Sequence, residues 1–162
     1  MVGSYAFGSA LRGVRQVVGG HTRVVHYSDD ETVLRLLAYD IWAVVGLSGN
    51  PARPAYSVAS WLQRQGKTII PINPNGNPVL GERGFRSLAE VPVSVDVVDV
   101  FRRSEQAGHH ADEAAEIGAR GVWFQLGVID EAACRRTQDA GIDMVMDVCP
   151  AIEGPRLWAT TR

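Results

Sequence analysis

Two cysteines, Cys134 and Cys149, are all that the 162-residue sequence contains, and they form no Cys-x-x-C pair. That excludes a disulfide framework and a cysteine-based zinc site, so a reducing, cytoplasmic setting is expected. No apolar run approaches the roughly 18 residues of a membrane helix, so no membrane partner is expected. A net charge of -2 leaves no excess of positive charge to draw the chain to nucleic acid. The first 27 residues hold no Asp or Glu, while carrying Arg12, Arg15 and Arg23 and frequent glycine. Organelle-targeting peptides share that composition, but the apolar stretch of a secretory signal is absent. Residues 1–27 are therefore expected to be a flexible N-terminal extension, ahead of one domain over residues 28–162.

The domain has a regular alternation. Ser28 with Glu31 predicts a capping box before the apolar stripe Val33, Leu34, Leu37 and Ala38. Short apolar runs predict strands over Ile41–Leu47, Thr68–Ile72, Val95–Phe101, Val122–Leu126 and Met144–Val148. Between them lie predicted helices over Pro54–Gln65, Ser104–Ala119 and Asp130–Ala140, the first opened by proline and the last stopped by Gly141. Ser87–Glu90 predicts a single helical turn. Strands that are apolar throughout, separated by helices, indicate a parallel sheet covered on both faces. The expected fold is α/β: a Rossmann-like, doubly wound, five-stranded parallel sheet of order 3-2-1-4-5.

In such a sheet ligands bind beyond the carboxyl ends of the strands, where the order reverses. The first loop there, in "AVVGLSGNPARP", lacks what a dinucleotide site needs. The pattern G-x-G-x-x-G requires glycines at 46, 48 and 51, and the chain has Gly46, Ser48 and Pro51. The second strand end lacks the acid that holds ribose hydroxyls: "TIIPINP" ends in Asn73 and Pro74, with no carboxylate before Glu82. Both gaps count against NAD and FAD. What remains is a strand-to-helix turn whose free N–H groups favour a phosphate, or a tight turn with no ligand at all. Gly46 and Leu47 start that turn, Ser48 and Asn50 offer hydrogen bonds, and Arg53, between Pro51 and Pro54, could pair with a phosphate oxygen. Ile72 and Pro74 offer an apolar surface for a base, and Asn73 a neutral polar contact. Arg102, Gln125, Gly127 and Cys149 follow the later strands on the same rim.

The segments "AVVGLSGNPARPAYSVASWL", "IIPINPNGNPVLGERGFRSLAEVP", "VDVVDVFRR", "GARGVWFQLGV" and "MDVCPAIE" together resemble the small single-domain CoA-binding proteins. Those are related to the N-terminal CoA-binding domain of the succinyl-CoA synthetase α subunit. The resemblance runs from Ser28 to about Trp158 and rests on five motifs in one order. It implies coenzyme A as ligand, with the pyrophosphate on the Gly46–Arg53 loop and the adenine side near Ile72, Asn73 and Pro74. By the same resemblance Phe101 and Arg102 close the third-strand side, and Gln125 and Gly127 the fourth. The chain departs from the family's pattern around the cysteine, with Val148 where a basic residue is frequent and Ala151 where lysine often follows Cys-Pro.

The synthetase's ligase portion has no counterpart in these residues, and the histidines offer no replacement. His21 and His26 lie in the extension; His109 and His110 are adjacent on one helix and point about 100° apart, which does not suit a metal. Cys134 is expected in packing. Cys149 is the one candidate nucleophile, and Asp147 and Glu153 beside it would raise its pKa. The paired arginines 102–103 and 135–136 are expected on solvated faces. The leading expectation is a non-catalytic or regulatory domain holding CoA or acyl-CoA. The alternatives are thiol-dependent acyl or disulfide exchange through Cys149, and a divergent NAD-binding module.

Overall fold

The computed structural model describes residues 12–18 and 21–161, with side chains from Tyr27 onward. Two antiparallel strands come first, β1 (Arg12–Val18) and β2 (His21–Ser28), in the stretch where the sequence predicts no element. They are followed by α1 (Asp30–Ala38), β3 (Ile41–Val45), α2 (Pro54–Arg64) and β4 (Thr68–Ile72). A 3-10 turn at Leu88–Glu90 leads to β5 (Val97–Val100), α3 (Ser104–Glu116), β6 (Gly121–Phe124), α4 (Glu131–Asp139), β7 (Asp143–Val145) and α5 (Pro150–Thr160).

Strands β3 to β7 form one parallel sheet, with β4 at one edge and β3, β5, β6 and β7 following in order. The α/β class and the parallel five-stranded sheet are as expected, but the strand order is corrected. Counting these five strands along the chain, the order is 2-1-3-4-5 and not 3-2-1-4-5. Pro71 supplies the reason. It lies inside β4, and its carbonyl faces away from β3 to accept from the Phe85 N–H. A proline there has no N–H to offer an outer neighbour, so β4 can only be an edge. The outer position is taken by a short return of the chain, in which Asn73 N–H donates to the Phe85 carbonyl. Strand β5, buried at every residue, goes instead to the middle, beside β3.

The reversal point therefore lies between β3 and β5. Alternation along the strands sends Ala43, Val45, Val98, Val100 and Phe124 to one face, against the alanines of α3 (Ala107, Ala111, Ala114) and α4. Trp42, Val44, Val97 and Trp123 face α1, α2 and α5. The rings of Trp42 and Trp123 lie 5.6 Å apart, and their N–H groups donate to the Tyr39 and Val148 carbonyls.

Two local expectations change. The cap of α1 is Asp29, whose carboxylate accepts from Thr32 N–H; the Ser28 hydroxyl instead donates to the Met146 carbonyl, tying β2 to the end of β7. The sequence predicts no helix over residues 150–160, because Gly154 and Pro155 interrupt the pattern, yet α5 forms there. Packing forms it anyway: Leu157 is buried, Trp158 stacks on Trp61 of α2, and Arg156 binds Asp30 and Glu153. Among the described residues no helix is long and apolar enough to cross a membrane.

Candidate functional site

The carboxyl ends of β3 and β5 meet at Gly46 and Phe101. Gly46 has φ +90°, and a Cβ on it would lie 2.6 Å from the Phe101 carbonyl oxygen. Only glycine allows both the left-handed backbone and that approach. Its N–H is spent on the Ile72 carbonyl. The rest of the loop is held by its own side chains: Asn50 Oδ1 accepts from Ala52 N–H at 3.0 Å, and Ser48 Oγ from Asn50 N–H at 3.4 Å. Helix α2 then starts at Pro54, with no side chain capping its first turn.

Between this loop and the ends of β5, β6 and β7 lies a cavity of about 440 Å³. The structure brings Gly46, Arg53, Pro54, Phe101, Arg102 and Gln125 of the expected set to its wall, together with Cys149. It does not bring the others there. Leu47 and Ile72 are buried in the two cores. Ser48 sits half-buried in the loop, and Asn50, Pro51 and Pro74 are exposed outside the cavity. Gly127 bridges neighbouring strand ends, donating from its N–H to Asp147 Oδ1 and accepting from the Ser104 hydroxyl. Asn73 is an internal bracket: its amide nitrogen donates to the Leu47 and Asn77 carbonyls, and its Oδ1 accepts from Asn77 N–H.

Sequence reasoning missed Ala55, Val58, Arg103, Leu126 and Val128, which complete the wall. Ala55 and Val58 lie on the buried face of α2, and Arg103 reads as half of a charge pair. The outcome is an electrostatic asymmetry. Arg53, Arg102 and Arg103 all line the cavity, no carboxylate does, and none of the three makes an ion pair among the described residues.

Behind the wall lies a polar group that the sequence reading passed over. Asp99 occupies the middle of β5 between Val44 and Trp123 and is fully buried. Gln125 Nε2 donates to its Oδ1 at 2.5 Å, and its Oδ2 has no partner. Burial pushes the Asp99 carboxyl up to about 8, against the smaller opposing effect of the Gln125 hydrogen bond. The Cys149 thiol is also raised, first by burial and then by Asp99 and Glu153, although the Ala151 and Ile152 N–H groups act the other way. A thiol held protonated in this way is a poor nucleophile. Both cysteines are free thiols, and Cys134 points from α4 into the core. His109 and His110 both lean on Glu113.

Residues 40–155 match the family model described as "CoA binding domain". The chain belongs to this CoA-binding domain family. Membership supports coenzyme A binding in general. A curated relative, "Uncharacterized protein YneT" of Bacillus subtilis (strain 168), is 40% identical over 107 residues, which is 66% of this chain and 79% of that protein. A solved structure described as a hypothetical protein from Pyrococcus horikoshii OT3 superposes with TM-score 0.76 at 31% identity, covering 81% of this chain and 93% of that one. The dinucleotide-forming acetyl-coenzyme A synthetase 1 of Ca. Korarchaeum cryptofilum shares the fold, with TM-score 0.59 and 22% identity. That similarity covers 68% of this chain and 26% of the synthetase. In this CoA-binding domain the residue before the cysteine, Val148, is buried and its carbonyl holds the Trp123 indole, so the position serves the core.

Proposed function

We propose that this domain is a non-catalytic, regulatory holder of coenzyme A or acyl-CoA. The phosphates lie against Arg53, Arg102 and Arg103, the pantetheine arm enters the cavity, and the adenosine end lies outside, toward Pro74. The observation that carries this reading is the convergence on one cavity of three guanidinium groups that make no ion pair among the described residues, with no described carboxylate in its wall. Guanidinium groups bind phosphate oxygens through paired, charge-assisted hydrogen bonds. The apolar wall of Ala55, Val58, Phe101, Leu126 and Val128 suits a neutral arm.

The dinucleotide alternative loses support here. Asn73, where a ribose-binding acid would stand, has both ends of its amide committed to protein groups. Exchange through Cys149 is likewise disfavoured by the raised thiol pKa. The reading places the domain in a reducing, cytoplasmic setting, which two free cysteines suit. The test is a thermal-shift series with CoA, acetyl-CoA, NAD, NADP and FAD. A ligand present at 100 times its dissociation constant adds about 2.7 kcal/mol of stability. The CoA group is expected to raise the midpoint; a shift with NAD and none with CoA would overturn the reading.

A further inference from the structure

Asp99 is a costly residue for its position. Its strand neighbours Val44 and Trp123 are apolar, it makes no ion pair among the described residues, and one of its oxygens is sealed from solvent without a partner there. An apolar side chain of similar size would fill the same space without that penalty. Its one hydrogen bond is to Gln125, which is buried yet lines the cavity. Asp99 therefore grips one end of the Gln125 amide, the nitrogen. The other end, the carbonyl oxygen, accepts no hydrogen bond from the described residues. Unlike Asp99 Oδ2 it is not sealed from solvent, and the cavity is the space that Gln125 lines.

From this geometry we propose that Asp99 is a positioning residue, which pins the Gln125 amide so that its carbonyl oxygen meets an N–H donor of the ligand. The inference rests on the CoA reading and sharpens it. The arginine rim takes phosphates and would accept many nucleotides. The Asp99–Gln125 pair selects the class of ligand whose arm carries secondary amides, as the pantetheine chain does, because an amide N–H in the cavity satisfies the waiting oxygen. A ligand without such a donor leaves that oxygen desolvated and unpaired, which is the stronger basis of discrimination. Asp99 does not touch the ligand; it acts by orienting Gln125. Without it the amide is free to rotate, and the cavity no longer presents one defined acceptor.

The test uses the full chain and two probes, CoA and adenosine 3′,5′-bisphosphate, which keeps a nucleotide and phosphates but has no amide arm. Binding is measured by calorimetry for the wild type, Gln125→Leu, Asp99→Leu and the double variant. Each single substitution is expected to weaken CoA about tenfold and to leave the bisphosphate unchanged. The double variant is expected to be no weaker than either single one, because the two residues act as a unit. Asp99→Asn retains an oxygen that can accept from Gln125 and is expected to restore CoA affinity to within about twofold of wild type. Additive losses, equal losses for both probes, or unchanged CoA affinity would each overturn the inference. Should Asp99→Leu fail to fold, Gln125→Leu and Asp99→Asn decide it alone: undiminished CoA binding in the first, or a tenfold loss in the second, refutes it. If the wild type binds the bisphosphate and CoA equally well, this inference fails while the phosphate site stands. If it binds neither, the CoA reading fails and takes the inference with it.

Discussion

Gly46 and Phe101 close the crevice at the centre of the sheet: the Gly46 α-carbon faces the Phe101 carbonyl so closely that a Cβ would stand 2.6 Å from its oxygen. The contact joins the ends of the two strands between which the sheet reverses. Gly46→Ala must therefore both occupy a left-handed backbone at φ +90° and push β5 away from β3. A loss of about 2 kcal/mol or more is expected in urea unfolding, from the backbone strain and the displaced contact together. CoA affinity should fall as well, because Gly46 and Phe101 both line the cavity. A variant as stable as the wild type would show that the strand ends are not held by this contact.

The rim arginines should act on phosphate and not on the arm. Arg53→Ala, Arg102→Ala and Arg103→Ala are each expected to weaken CoA several-fold, and more at low salt than at high, since charge pairs at an open rim are screened. Unphosphorylated pantetheine should bind these variants as it binds the wild type. Equal weakening of both ligands by Arg53→Ala would place that side chain on the arm.

Asp99 predicts a direction for stability against pH. The folded value is about 8 and the ordinary value is 3.8. Below pH 3.8 the carboxyl is neutral in both states and its burial is least costly. As pH rises from there to about 8, the unfolded chain releases the proton while the folded one keeps it, so stability falls. Above that window both states are ionised and the loss is complete. Relative to Asp99→Asn, the wild type should lose a few kcal/mol across the window and then level off. Chemical unfolding of both proteins at each pH unit measures this. A gap that stays constant with pH would mean that Asp99 is ionised in the fold.

Much of this architecture was legible from the chain alone, and the misses have physical causes. The run Thr68–Ile72 predicts β4 to the residue, and the Pro71 inside it, which has no N–H for a full ladder on the outer side, is the signal of an edge that the order 3-2-1-4-5 leaves out. Helix α5 is invisible locally because Gly154 and Pro155 break its pattern, and only contacts with α1 and α2 make it form. The Gly46–Arg53 loop was readable as a turn before a helix. Which of its residues reach the cavity was not, because Ser48 and Asn50 turn inward on the loop's own backbone. Asp99 was hidden for another reason. It is one of two acids in "VDVVDVF", where either reads as an interruption of a strand, and its partner Gln125 lies 26 residues away.

Cys149 lines the cavity but is held as a thiol, and its substitution should separate contact from chemistry. Cys149→Ser is nearly isosteric, so CoA affinity is expected to change by less than about threefold, within the range of one weak neutral contact. At pH 7 the wild type should form no thioester when incubated with acyl-CoA, because burial first, and Glu153 after it, keep the sulfur protonated. Raising the pH must favour the thiolate, so any adduct should appear only under alkaline conditions and be absent from the serine variant. Intact mass measurement across pH 6 to 10 follows both species. An adduct already complete at pH 7 would require a base that lowers the thiol pKa, and would restore Cys149 as a catalytic group.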